Sequence, residues 1–488
     1  MPEIDIPLAL TADQGRDTAL NTTRITNAYA EPIGSEGVAV VACDGFSAFA
    51  TTVGVAAGQT RGMINLDDTY LYVVTGTRLQ RVTPAAGVTH MQELATAGHA
   101  YMARNRRGND GIGNPQVAIV TSDGLFRIIE NNVVSTPTLD EDIPSTLFNS
   151  VCHLDGYFVI TMSNGEFYIS SIDDGTDIDV LDFASALANP DGLTRGLVRG
   201  RELVLMGPRS IEFWQNTGAT DFPFERAQTV EMGLYAPAAA VPVMADLDGN
   251  LTDTIIWPAT NRDGAYIGVM LMAGYDGRKI STLEVDRAIA ADATPANIRG
   301  FQYSRSDGAT FYVITGAAFS YEYNCRTSLW HRRTSSGLNR WRVADACYFA
   351  GKTVLGDYAL PKLYQRATDI VPASASSVTL RHSNDHGDTW TAARSVSIGT
   401  SGQRTQRAKF NRLGLSREDG KVLELAITNA VIEDGTANSM TVVTPPVGAY
   451  PNRVIIDALY VDMIPGGSQA SRTKGIKRVK AIARPAQG

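Results

Sequence analysis

The chain has 488 residues, 44 % of them apolar and 19 % charged, with 45 glycines and 21 prolines, which excludes a wholly disordered chain, suits a turn-rich globular one and allows more than one core. A formal net charge of −8 excludes a general nucleic-acid coat, whose affinity comes from Lys and Arg neutralising phosphates. Cys43, Cys152, Cys325 and Cys347 stand far apart with no C-x-x-C pair, so neither a disulfide framework nor a zinc site is expected.

The opening Met1–Ile6 has neither a charged nor an apolar leader region, and no later apolar run approaches the ~20 residues that cross a bilayer. A soluble protein made in the cytoplasm, with no membrane contact, is expected. Residues 1–35 read as an N-terminal arm and entry strand.

From there the chain repeats one device, an apolar run, a Gly-bearing turn and a second alternating run. The first copies are Tyr70–Val74 with Arg78–Val82, Val117–Thr121 with Leu125–Ile129, and Tyr157–Thr161 with Glu166–Ile169. Glu202–Met206 with Ser210–Trp214, Thr254–Trp257 with Tyr266–Met270, and Thr310–Thr315 with Phe319–Tyr323 continue it. Ala346–Ala350, Lys352–Leu355 and Lys362–Gln365 close the series. A spacing of roughly 40 to 55 residues matches propeller blades, which bury their faces against one another around an axis. The fold predicted is all-β, a β-propeller of about six blades over 36–370. Amphipathic helices are scarce.

Within this region Asp246-Leu-Asp-Gly-Asn250 resembles a calcium loop, but Trp257 stands where the bidentate Glu belongs, so a hairpin tip is expected. Ser171–Asp177 reads as a degenerate turn of the type described next.

The small, polar Val371–Ser377 reads as a linker, and 371–488 as a smaller C-terminal β-sandwich-like domain with a basic terminal segment. It opens with Ser383-Asn-Asp-His-Gly-Asp-Thr-Trp390, an Asp-box turn. Ser383, Asp385, Gly387, Thr389 and Trp390 are structural here, with Asp385 accepting from backbone N–H groups, Gly387 permitting the reversal and Trp390 anchoring the returning strand. His382 and His386, the one close histidine pair, lie four apart in a hairpin rather than on a helix, and no metal site is assigned.

Two basic clusters follow. Arg404, Arg407, Lys409 and Arg412 form the first, and Lys474, Lys477, Arg478 and Lys480 belong to an acid-free end after Met463. The first reads either as outward positions of half-buried strands or as a subunit or DNA contact, and the second either as a solvated tail or final strand or as a docking surface for an acidic partner. Sialidases repeat the Asp box around a propeller, which makes a sialidase-like or carbohydrate-binding propeller the alternative. Such an enzyme also needs an arginine cluster and a Tyr nucleophile polarised by an acid. The single intact Asp box lies beyond the repeats, so no catalytic residue and no cofactor is assigned.

Three blocks resemble the packaged-DNA stabilisation proteins of short-tailed phages, the tail hub or nozzle family. They are Arg24–Glu31 with Arg61-Gly-Met63 and Tyr70–Gly76; Phe167–Ser170 through Asp182–Ala186 and Pro190-Asp-Gly192 to Ser210–Gly218 and Asp221–Arg226; and Val378–Thr428. The resemblance implies a non-enzymatic virion tail protein made in the host cytoplasm. It implies a homohexameric ring below the portal and its adaptor that retains packaged DNA and forms part of the ejection channel. The partners implied are the portal adaptor, tail fibres or tailspikes, a tail needle or plug, and double-stranded DNA that passes without sequence-specific binding.

Overall fold

A computed structural model describes residues 3–16, 21–32, 37–52, 58–94, 98–108, 113–186, 188–305, 308–367, 376–399, 407–417, 420–448, 454–464 and 475–485. Antiparallel sheets dominate, and the one α-helix among the described residues is Leu283–Ala290. The six paired runs singled out in the sequence are the middle strands of successive blades, the first four in four-stranded sheets, the fifth in a five-stranded one and the sixth in a sheet continuous with the second layer. Those strands are covered on both sides by neighbouring sheets: Leu71–Thr75, Gln116–Val120, Thr310–Thr315 and Ser320–Asn324 are buried at every position.

Each sheet begins with an inner strand. In chain order these are Thr60–Asn65, Tyr101–Arg104, Phe148–Leu154, Arg195–Arg199, Val241–Leu247, Arg299–Ser304 and Val343–Phe349. Each contacts the next, and the last contacts the first, so the ring is closed. Among the described residues the blades number seven, rather than about six. The seventh is built from Val343–Phe349, Lys352–Asp357 and Lys362–Ala367, and its outermost strand is Gly45–Thr51, which precedes blade one in the chain. A blade assembled from both ends of the repeat region is hard to count in a linear reading.

The chain reaches that strand by way of the other layer. Ala28–Pro32, Val38–Ala42, Gly475–Pro485, Val454–Ile464 and Arg407–Leu415 form one sheet, with Glu3–Ile6 on Gly475–Pro485. Its buried residues, among them Phe410, Leu459, Val461 and Val479, share one core with Leu380, Leu425, Ile427 and Val442 of a facing sheet. That facing sheet contains Arg24–Thr26, Ser376–Ser383, Arg394–Gly399, Val422–Glu433 and Thr436–Val443. Early and late strands therefore build this β-sandwich together. The facing sheet is also welded to the propeller: Thr26 pairs with Arg332 of blade six, and Glu433 with Phe46 of blade seven.

Candidate functional site

The Asp box folds as its residue types demand. At the end of strand Ser376–Ser383, the Ser383 hydroxyl donates to Asp385 Oδ1 at 2.5 Å and accepts the Gly387 N–H at 2.8 Å. Thr389 donates its N–H to Asp385 Oδ1 at 2.9 Å and its hydroxyl to Oδ2. These bonds from Ser383 and Thr389 hold the Asp385 carboxyl down at about 2. Gly387, at φ +97°, lets the Trp390 ring lie 3.3 Å from where a Cβ would stand. The indole is half-buried, with the Arg381 guanidinium 4.9 Å from its ring, and so is a surface clasp more than a core anchor. Trp390→Ala is expected to cost about 1–2 kcal/mol in denaturant unfolding, below the range for a fully buried Trp. The tip at Asp246–Asn250 is a two-residue hairpin turn, with Asp248 and Gly249 both at positive φ and the Gly249 N–H on Asp246 Oδ1 at 2.7 Å.

The described members of the two basic clusters meet on one outer sheet face. Cross-strand register places Arg407, Asp462 and Arg478 in one row and Lys409, Tyr460, Lys480 and Asp5 in the next. Asp462 takes Arg407 Nε at 2.5 Å and Arg478 Nη2 at 3.1 Å. Those two hydrogen bonds outweigh the partial burial that opposes them and keep its carboxyl below the usual range. Lys480 pairs with Glu3 at 2.7 Å, and Lys409 sits 5.3 Å from the Tyr460 ring centroid. Lys477 lies beside Arg478 at a register shift, and Arg412 takes a left-handed backbone at φ +57° in the bulge of its own strand. Arg404 and Lys474 lie outside the described residues. Acids interleave with the bases on this outward face to leave a laced surface.

A buried polar knot sits where propeller and sandwich join. Arg333 is 1 % exposed, stacks 4.2 Å from the Trp341 centroid, and faces Glu322 at 3.7 Å and Glu433 at 3.9 Å. Glu322 also accepts from Tyr303 at 3.1 Å and holds His331 at 2.6 Å, while Trp341 donates to Glu433 at 2.9 Å. Burial drives both carboxyls upward; for Glu322 the Arg333 charge and the His331 bond overcome it, and for Glu433 burial prevails. Cys43, Glu322 and His331 bring three ligand-type atoms within 4.8 Å of one another. The Arg333 cation already serves that carboxylate, and burial pushes the Cys43 thiol up to about 12, so the group fits an ion-pair knot better than a metal centre.

The sequence reading passed over a third feature. Three inner strands carry the same dipeptide at or beside their first position: Arg61-Gly62, Arg195-Gly196 and Arg299-Gly300. The glycines let blades approach, since a Cβ on Gly62 would stand 2.4 Å from the Ala100 carbonyl oxygen and one on Gly300 2.6 Å from that of Ala239. The arginines stitch blades through carbonyls. Arg61 donates to Gly98 at 2.6 Å and Gly76 at 2.8 Å, Arg195 to Pro237 at 2.5 Å, and Arg299 to Thr60 at 2.6 Å. The recurrence of Arg-Gly before an apolar alternation, visible at 61, 195 and 299, was the available signal.

A family model described as bacteriophage P22 Gp10, β-propeller, matches residues 17–371. No curated protein matches the sequence. Similar solved structures include virginiamycin B lyase from Staphylococcus aureus, 9 % identical over 63 % of this chain and 94 % of that one, with a TM-score of 0.42. The WD40 propeller domain of Doa1 is 10 % identical over 67 % and 98 %, with a TM-score of 0.36.

Proposed function

The chain belongs to the bacteriophage P22 Gp10 family of β-propeller phage stabilisation proteins, and from this premise we propose that it is the tail hub or nozzle of a short-tailed phage. In this reading it forms a homohexameric ring below the portal adaptor, retains packaged DNA and frames part of the ejection channel in the virion tail. The observation that carries the proposal is the family match at 17–371, which takes in all seven blades. Support comes from the form of the molecule. A propeller joined to a sandwich by strand pairing offers one continuous body for a ring in which each copy presents two different complementary faces. The laced face of Arg407, Lys409, Arg478 and Lys480 is the surface proposed for the adaptor, fibre or plug, because exposed charges there set orientation and encounter rate. An acidic chain overall lets DNA slide past without gripping it.

The gathering of Arg61, Arg195 and Arg299 favours a second reading, a sialidase-like propeller. It is the weaker one. A Tyr nucleophile needs a neighbouring acid, whereas Tyr101, the ring under Arg195, has its hydroxyl pushed up by burial.

Electron-microscopic class averages of the purified chain, alone and mixed with phage adaptor and portal, test the proposal. Six-fold rings seated on the adaptor are expected, with no release of fluorophore from a fluorogenic sialoside. Hydrolysis of the sialoside, or failure to join the adaptor at micromolar concentration, refutes it.

A further inference from the structure

The propeller axis encloses a cavity of about 420 Å³ lined by all seven inner strands, including His99, Tyr101, His153, Arg195, Gln302 and Asp345. The three Arg-Gly arginines stand at or beside the first positions of their inner strands, and His99 lies just ahead of a fourth. The inner strands run the same way around the axis, so these groups gather toward one mouth. Asp345 is the one acid among the described lining residues. Asp123, which also acts on Arg61, is itself held by Arg127 at 2.8 Å.

Arg195 lines this space and acts with Arg299 on Asp345, and the Arg61 charge bears on both Arg299 and His99, so cations outnumber the one lining carboxylate, and uncompensated buried charge is costly. The atoms left over agree. On the lining residues, Arg195 Nε, His99 Nδ1 and His153 Nε2 are buried without a hydrogen-bond partner. Groups of this kind are normally satisfied by something. His99 feels the same field: burial, then the charges of Arg299, Arg195 and Arg61, hold its imidazole well below its ordinary range, so it is neutral and can donate from one nitrogen.

We infer that the axial cavity is a binding site for a small inorganic oxyanion of the sulfate or phosphate class, held by Arg195 with His99 and by the field of Arg61 and Arg299. The anion supplies the missing charge, accepts the leftover N–H groups, and ties blades one, two, four and six together across the axis. Asp345 competes with it for the same cations. This assignment is independent of the role in the virion.

Titration calorimetry with sodium sulfate into the intact chain in chloride buffer at pH 7.5, with sodium acetate as a parallel titrant, tests it. One saturable sulfate site per chain is expected, at least tenfold tighter than acetate. Asp345→Asn, which removes the competing charge and keeps an acceptor for the Ala346 N–H, should tighten sulfate about tenfold, and Arg195→Gln should weaken it at least tenfold. If Arg195→Gln does not fold, Asp345→Asn alone decides. Absence of a saturable site, equal sulfate affinity in the Asp345→Asn protein, or a preference for acetate overturns the assignment.

Discussion

Arg333→Ala should lower the free energy of unfolding by about 3–5 kcal/mol, because it strands two carboxylates in the seam between propeller and sandwich. Glu322 is fully buried and Glu433 nearly so, and both face the guanidinium that would be lost. The truncation also removes the plate stacked on Trp341 and a donor to the Asp44 carbonyl at 3.2 Å. Without Arg333, burial acts on both acids unopposed by their main cation, so their folded-state values rise above those of the unfolded chain. A raised carboxyl contributes stability at low pH and loses it as pH increases through the folded value. The deficit of the variant against the parent protein should therefore be smaller at pH 5 than at pH 8. Guanidinium-chloride unfolding at the two pH values measures this. A deficit under about 1 kcal/mol at pH 8 would mean that water enters the seam and rehydrates the acids. Arg333→Met combined with Glu322→Gln and Glu433→Gln should recover much of the loss, since a neutral seam carries no stranded charge.

Gly62→Val is the second large effect. A side chain there cannot avoid the neighbouring blade: the clash is with the Ala100 carbonyl oxygen, and Ala100 donates its own N–H to the Arg61 carbonyl at 3.0 Å. Backbone cannot swing aside as the end of a long side chain can, so blades one and two must separate at the axis. A loss of about 3 kcal/mol or more is expected, at the upper end of overpacking costs. Gly300→Val, against the Ala239 carbonyl, should behave alike. Thermal unfolding followed by circular dichroism reads both, and an unchanged midpoint in either would show that the inner strands are not packed as tightly as described.

Much of the propeller was legible because its most buried strands are also its most apolar. Val73, Ile119, Val159, Val204 and Val313 sit in runs that no exposed strand could carry. Inner and outer strands carry weaker patterns. Alternation of buried and exposed positions is absent from Phe224–Val230, where exposed Glu225, Arg226, Ala227 and Gln228 follow one another, and that strand is recognisable only by its partner. Blade count failed for a topological reason, since Gly45–Thr51 pairs with Lys362–Ala367 more than 300 residues on. The hydrogen bonds of the Asp box were legible because they are local, closing within four residues, whereas the half-buried setting of Trp390 depends on Arg381 and the fold around it. The knot around Arg333 was not, because Asp44, Glu322 and Glu433 are brought together only by the fold.

The pairing of Glu3–Ile6 with Gly475–Pro485 sets an order of events during synthesis. A ribosome that has made every propeller strand holds a chain in which Glu3–Ile6 still lacks Gly475–Pro485 and Arg24–Thr26 still lacks Thr436–Val443. Neither sheet of the sandwich can be completed before those distant strands have been made. Until those late strands arrive the early ones keep open hydrogen-bonding edges, so a half-made copy lacks the finished surface of the folded one.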